Sequence, residues 1–173
     1  MSGEELVDIV DEDDRVVGRA SRREVRARHL RHRSTYILLF NAQSQIFVHQ
    51  RTATKDIYPS YNDVAFGGVV AAGEDYDAGA RRELAEEIGV EGVPLRRVLG
   101  FRFDDDNNHV NGVLYTATYD GAMQLQAAEV ANGRWMDLDA VIDLAQREPF
   151  CPDGIEALRR YLDRLQQASS RNR

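Results

Sequence analysis

The stretch from Gly67 to Val90, GGVVAAGEDYDAGARRELAEEIGV, constrains this chain more than any other. No proline interrupts Asp75 to Ile88, and Gly89 stands where a helix ends in a left-handed cap, so the pattern predicts a helix there. At about 100° per residue, Glu83, Glu86 and Glu87 fall within roughly a 100° arc, while Leu84 and Ile88 lie to one side where they can pack inward. Three ionised carboxylates on one face repel, and on a purely structural helix each adjacent pair would cost roughly a few tenths of a kcal/mol. A divalent cation reverses that sign, and hard carboxylate oxygens suit Mg²⁺ or Mn²⁺, which also engage the phosphate oxygens of a substrate. Helical geometry alone leaves a solvated acidic face as the alternative.

The remaining chain sets the frame. With 173 residues, 43% of them hydrophobic, residues 1–173 are enough for one domain with a real core and too few for two. The start, MSGEELVDIVDEDD, is acidic where a secretory signal needs a basic run, and no apolar stretch reaches membrane-spanning length, so a soluble, cytoplasmic protein is expected. The lone Cys151 has no disulfide partner. A net charge of −7 argues against nucleic acid and anionic membranes. Arginines at 19, 22, 23, 26, 28, 31 and 33 form a basic stretch, read either as a solvated amphipathic helix or as attraction for a phosphorylated small molecule or a partner.

Strand patterns are expected at Leu6–Val10, Arg15–Gly18, Tyr36–Phe40, Ile46–Val48, Leu95–Phe103, Gly112–Tyr119 and Gly133–Met136. Residues 36–48 read as a hairpin feeding a buried sheet, and the Pro59-containing segment after it as a loop delivering Arg51, Lys55 and Tyr58 to one rim. Ser21 and Glu24 have capping-box spacing before a helix from Arg22 to about Leu30. Helices are expected at Leu138–Arg147 and over about 153–167, with the final SSRNR disordered. Strands interspersed with helices indicate a mixed α/β or α+β domain.

The spacing of the opening stretch carries more. Gly68, Glu74, Arg82-Glu83-Leu84, Glu86-Glu87 and Gly89-Val90 match each fixed position of the Nudix hydrolase signature, and the chain strongly resembles that family over about residues 34–147. The resemblance implies an α/β/α sandwich with a mixed sheet and a loop-helix-loop motif. It further implies that Glu83, Glu86, Glu87 and the Gly67 carbonyl hold Mg²⁺ or Mn²⁺, that Arg82 positions the glutamates, and that Glu74 has a structural or auxiliary base role. The implied reaction is attack of water on a diphosphate linkage in nucleoside di- or triphosphates or nucleoside diphosphate derivatives. For the general base, Glu83, Asp104, Asp105, Asp106 and Glu129 qualify by type, and Glu129 is preferred.

A second resemblance, over LRHRSTYILLFN and HQRTATKDIYPSYND, is to isopentenyl diphosphate isomerases. It matches His32 to a metal-binding histidine and Arg51 and Lys55 to residues that grip a diphosphate, a task two nearby cations suit. The isomerase chemistry does not carry over: Gly67 stands at the catalytic cysteine, Val69 at a second histidine, and His109 and Asn111 replace a carboxylate pair. The expectation is an isomerase-like branch that hydrolyses a small phosphorylated substrate. Isomerase-like activity, a nucleotide sensor without turnover, and a scaffold centred on residues 19–33 are the alternatives.

Overall fold

The apolar run that begins at Tyr36 lies in the middle of the molecule. A computed structural model describes residues 3–171, and in it strand β3 (His32–Phe40) lies parallel to β7 (His109–Thr118) along its whole length. A strand covered on both faces reads as a nearly continuous hydrophobic run, which is the reason for YILLF. Its residues alternate between two clusters. Ile37 and Leu39 pack with Leu84 and Ile88 of α2 (Tyr76–Ile88), whereas Tyr36 and Leu38 pack with α3 (Leu138–Ala145) and α4 (Pro152–Arg171). Helices thus cover both faces of an eight-stranded mixed sheet, the expected layered α+β sandwich. Leu84 is 1% exposed, so Leu84→Ala is expected to cost about 3 kcal/mol. Urea denaturation would show this as a lower midpoint at unchanged slope.

The expected hairpin needs a correction. Its turn forms, with Asn41 Oδ1 accepting from Gln43 N and Gln45 N at 3.0 and 2.9 Å, but β3 and β4 (Ile46–Arg51) pair only at Phe40 and Ile46. Beyond that point β4 pairs with β8 (Val130–Met136) and with β5 (Asn62–Asp63). Its place beside β3 is taken by residues 64–70, which bridge Phe66 to Ile37 and Val69 to Ser34. Phe47, stacked on Phe66 and edge-on to Trp135, fills the resulting wedge. The candidate site opens in this split.

Toward the N-terminus, β1 (Leu6–Val10) and β2 (Val16–Ser21) form an antiparallel pair that leads into α1 (Arg22–Arg28). Ser21 Oγ accepts from Glu24 N at 3.2 Å, but Glu24 turns its carboxylate to Arg28, so the capping box is half made. The helix stops before Leu30 because His29 adopts a left-handed conformation, φ 51°. β6 (Arg96–Asp104) flanks β7 on its outer edge. The C-terminal expectation of disorder is overturned for Ser169–Arg171, which continue α4, with the Ser169 and Ser170 hydroxyls donating to the Leu165 and Gln166 carbonyls. The last two residues of SSRNR, like the first two of the chain, lie outside the described residues. Among those described, no helix is long and apolar enough to cross a membrane.

Candidate active site

Local chemistry sets the roll of α2. Asp75 caps its start, accepting from Ala78 N at 2.7 Å, and Gly89, φ 66°, ends it in the left-handed region. With Leu84 and Ile88 buried inward, Glu83 and Glu87 turn into the split at 8% and 4% exposure, while the Glu86 side chain is 50% exposed. The three share a face as expected, but in unequal surroundings.

Glu87 Oε2 accepts from Gly67 N at 3.0 Å. Burial and then Glu83 push Glu87 up to about 8, against the pull of Lys55, the Gly67 N–H and Arg51. Burial also raises Glu83, against the pull of Arg82 and with Glu86 adding to the rise. Arg82 organises the group from behind. Its Nε and Nη2 each donate to the Glu74 carboxylate at 3.0 Å, and Nη1 donates to Glu83 Oε1 at 2.7 Å and Glu86 Oε2 at 3.2 Å. Glu74 also accepts from Ala71 N at 3.0 Å, which ties the loop to this fork. Neither Arg82 nor Glu74 lines the cavity described next, and that placement suits positioning.

Two glycines let the loop thread between β3 and the glutamates. Gly67 has φ 131°, and a Cβ there would lie 2.1 Å from the Thr35 carbonyl oxygen; a Cβ on Gly68 would lie 3.0 Å from Glu83 Oε1. A cavity of about 360 Å³ opens above them. Gly67, Glu83, Glu86, Glu87, Arg51, Lys55 and Glu129 all line it, so the residues expected to bind metal and to grip a diphosphate come together.

Arg51 donates from Nη2 to the Ile57 carbonyl at 3.1 Å, while its buried Nε has no partner among the described residues. Burial works against its charge, but Asp63 and Glu87 hold its pKa above the ordinary arginine value. Lys55 pairs with Glu129, and Thr52 N donates to the Glu129 carbonyl at 3.3 Å, joining the two rim loops. Of the loop carboxylates considered as base, Glu129 reaches the cavity and the 104–106 run does not. Asp104 binds Arg31 and His109, and Asp105 accepts from Tyr58 and from Asn107 N and Asn108 N, the bonding of an acidic turn.

His32 begins β3. It is buried, its Nδ1 lies 2.9 Å from the Leu30 carbonyl, and burial, then Arg26, lowers it to about 4. It does not line the cavity. Two wall residues that sequence reasoning did not single out are Arg22 and Arg26, which share Asp56 at 3.3 and 3.1 Å. Their spacing of four on α1, inside the basic stretch, was the available signal. The rest of that stretch is neutralised locally, Arg19 by Asp8, Arg23 by Glu4, Arg28 by Glu24, Arg31 by Asp104 and Arg33 by Asp14.

The donor set fits a hard divalent cation: two buried carboxylates whose burial opposes their charge, a third half-exposed, and a backbone turn too tight for a side chain. As the side chains stand, no three of His, Cys, Asp and Glu among the described residues are gathered closely enough to hold one. A cation would take Glu83 and Glu86 over from Arg82 Nη1, and the exposure of Glu86 leaves it free to swing.

Comparison with known proteins identifies the family. The family model described as NUDIX domain matches residues 30–161. The chain is 42% identical over 162 residues to the uncharacterized Nudix hydrolase PA4841 of Pseudomonas aeruginosa, covering 94% of this chain and 96% of that one. It is 39% identical over 164 residues to the uncharacterized Nudix hydrolase YfcD of Escherichia coli, covering 95% and 90%. Among solved structures it is similar to DR0079 from Deinococcus radiodurans, with a TM-score of 0.78 and 27% identity over 90% of this chain and 98% of that one. The NUDIX domain of Shewanella oneidensis NrtR, complexed with ADP ribose, shares the fold with a TM-score of 0.62 and 21% identity over 77% and 87%. By motif, by fold and by these relatives, the chain belongs to the Nudix hydrolase family, whose members act on phosphoanhydride bonds.

Proposed function

We propose that the protein hydrolyses a diphosphate linkage in nucleoside di- or triphosphates or nucleoside diphosphate derivatives, using Mg²⁺ or Mn²⁺ held by Glu83, Glu86, Glu87 and the Gly67 carbonyl. The observation that carries this reading is the opposition, within one cavity, of buried Glu83 and Glu87 to Arg51 and Lys55. ADP ribose, a nucleoside diphosphate derivative, is bound by the similarly folded NrtR domain.

A divalent ion in the site supplies Lewis acidity, neutralising phosphoryl charge and making a bound water more acidic. The chain does the rest. Arg51, with its unpartnered Nε, and Lys55 take separate oxygens of the diphosphate. Lys55 bound to phosphate releases Glu129, whose carboxylate then accepts a proton from the attacking water; Glu83 is the alternative base. The water oxygen bonds to phosphorus, the anhydride P–O bond breaks, and the leaving phosphate departs with its electron pair. Arg82 and Glu74 keep the glutamates in place. The products are two phosphorylated fragments, or one and free phosphate.

A proton-shuttling isomerase would need an acid or base at residue 67, and the 2.1 Å approach of a Cβ there to Thr35 argues against any side chain in that place. Product analysis over a panel of nucleoside di- and triphosphates and their derivatives, with each metal, tests the hydrolytic reading. Isopentenyl diphosphate is included as a further member, and its isomerisation with no cleavage of any member would overturn that reading. Within the panel, Arg51→Met is expected to raise KM about 10- to 100-fold with a smaller fall in kcat, the mark of lost ground-state anion binding. An unchanged KM would remove Arg51 from the grip.

A further inference from the structure

The cavity does not end at the diphosphate grip. Arg51 shares the cavity with two sets of acids that hold its charge: Glu87 of the motif helix, and the buried Asp63 and Asp153, which form what is here the inner wall. A diphosphate held between Arg51, Lys55 and the motif glutamates leaves the inner end for whatever group the diphosphate carries. At about 360 Å³ the cavity falls at the lower end of the range of small-ligand sites.

That inner wall is polar where a prenyl chain would need it apolar. Tyr36 OH donates to Asp153 Oδ2 at 3.0 Å, Asn108 Nδ2 lies 3.4 Å from the same oxygen, and Gly154 N donates to Asp153 Oδ1 at 3.0 Å. Asp63 Oδ1 accepts from Ala65 N at 3.0 Å, and a Cβ on Gly154 would come within 2.2 Å of that oxygen, so the absence of a side chain there lets the start of α4 close on Asp63. Both carboxylates are buried, and neither forms an ion pair among the described residues. Burial and then Asp153 push Asp63 up to about 6, with Arg51 pulling the other way. Buried carboxylates are costly unless something positive or hydrogen-donating meets them, and a carboxylate has more acceptor positions than these protein donors use. Asp63 also takes a side-chain hydrogen bond from Cys151. Asp63 and Asp153 line the same cavity as the motif glutamates, so a donor on the substrate can reach them.

We infer that the inner end of the cavity, walled by Asp63, Asp153, Tyr36, Tyr58 and Asn108, is the subsite for the head group of the substrate, and that this head bears a hydrogen-donating nitrogen, either an alkylammonium or the amino edge of a base. This rests on the hydrolase reading above and narrows its substrate class. The subsite also explains exclusion: an apolar head would strip water from both carboxylates and return nothing, and a site built for a donor rejects an analogue lacking it strongly.

The test measures kcat/KM with Mg²⁺ for two matched pairs: 2-aminoethyl against ethyl diphosphate, and CDP against UDP. Wild-type protein is expected to prefer the amine-bearing member of at least one pair by about 100-fold, and the pair that shows it identifies the source of the nitrogen. Asp153→Asn and Asp63→Asn are each expected to cut that ratio at least about 10-fold. Equal rates within both pairs, or a ratio retained in both folded variants, would overturn the subsite while leaving the hydrolase reading intact. If thermal melting shows that neither variant folds, the wild-type ratios decide alone. Failure to cleave any diphosphate with Mg²⁺ or Mn²⁺ would overturn the hydrolase reading first, and the subsite with it.

Discussion

Replacing Glu87 by glutamine is expected to lower kcat at least about 10³-fold, roughly 4 kcal/mol of transition-state stabilisation, without unfolding the protein. The side chain keeps its shape, and the amide can still accept from Gly67 N, which lies 3.0 Å from the present Oε2. What is lost is a negative charge that burial and Glu83 already oppose in the metal-free protein, so the variant should melt no lower than wild type without metal. The charge has value only when a cation faces it. Wild-type protein should then gain thermal stability on adding Mg²⁺ or Mn²⁺, and the variant should gain less, because a ligand that binds only the folded state stabilises it in proportion to affinity. Turnover retained in Glu87→Gln would remove the residue from the metal set.

The second large effect is structural. Gly67→Cys restores the residue type that the isomerase resemblance places at this position, yet it is expected to cost about 3 kcal/mol or more of stability and to give no isomerase activity. The cause is local: φ is 131° at Gly67, and a Cβ would lie 2.1 Å from the Thr35 carbonyl oxygen. That is a backbone atom of the central strand, which cannot swing aside as a flexible side chain would. Denaturant unfolding reads the loss. A Gly67→Cys variant as stable as wild type would show that the loop can shift, and would reopen proton-transfer chemistry at this place.

How much of this was legible in the chain depended on whether neighbours in sequence are neighbours in space. The helix of residues 76–88 could be read because its cap residues and its period are local, and the three glutamates followed from it. The parting of β3 and β4 could not, because the hairpin signal is local too, whereas the competing partners of β4 come from residues 62–63 and 130–136. The length of α4 was underestimated because its polar end looks like a tail, and its last turn is held by serine hydroxyls bonding back to carbonyls four residues earlier. The Arg51 and Lys55 pair and Glu129, which the sequence offers as independent candidates for grip and base, share one cavity. The polar groups of the inner wall are not legible in the chain because Asp63, Asn108 and Asp153 are far apart in it and each is ordinary on its own. Only the folded sheet brings them together.

Hydrolysis in ¹⁸O-enriched water tests the central claim most directly. With Mg²⁺ and a cleaved diphosphate substrate, mass spectrometry should find one solvent oxygen in one of the phosphorus-containing products, and chelator should abolish both cleavage and label. Cleavage that persists in chelator, or a rearranged diphosphate carrying no solvent oxygen on phosphorus, would contradict the account.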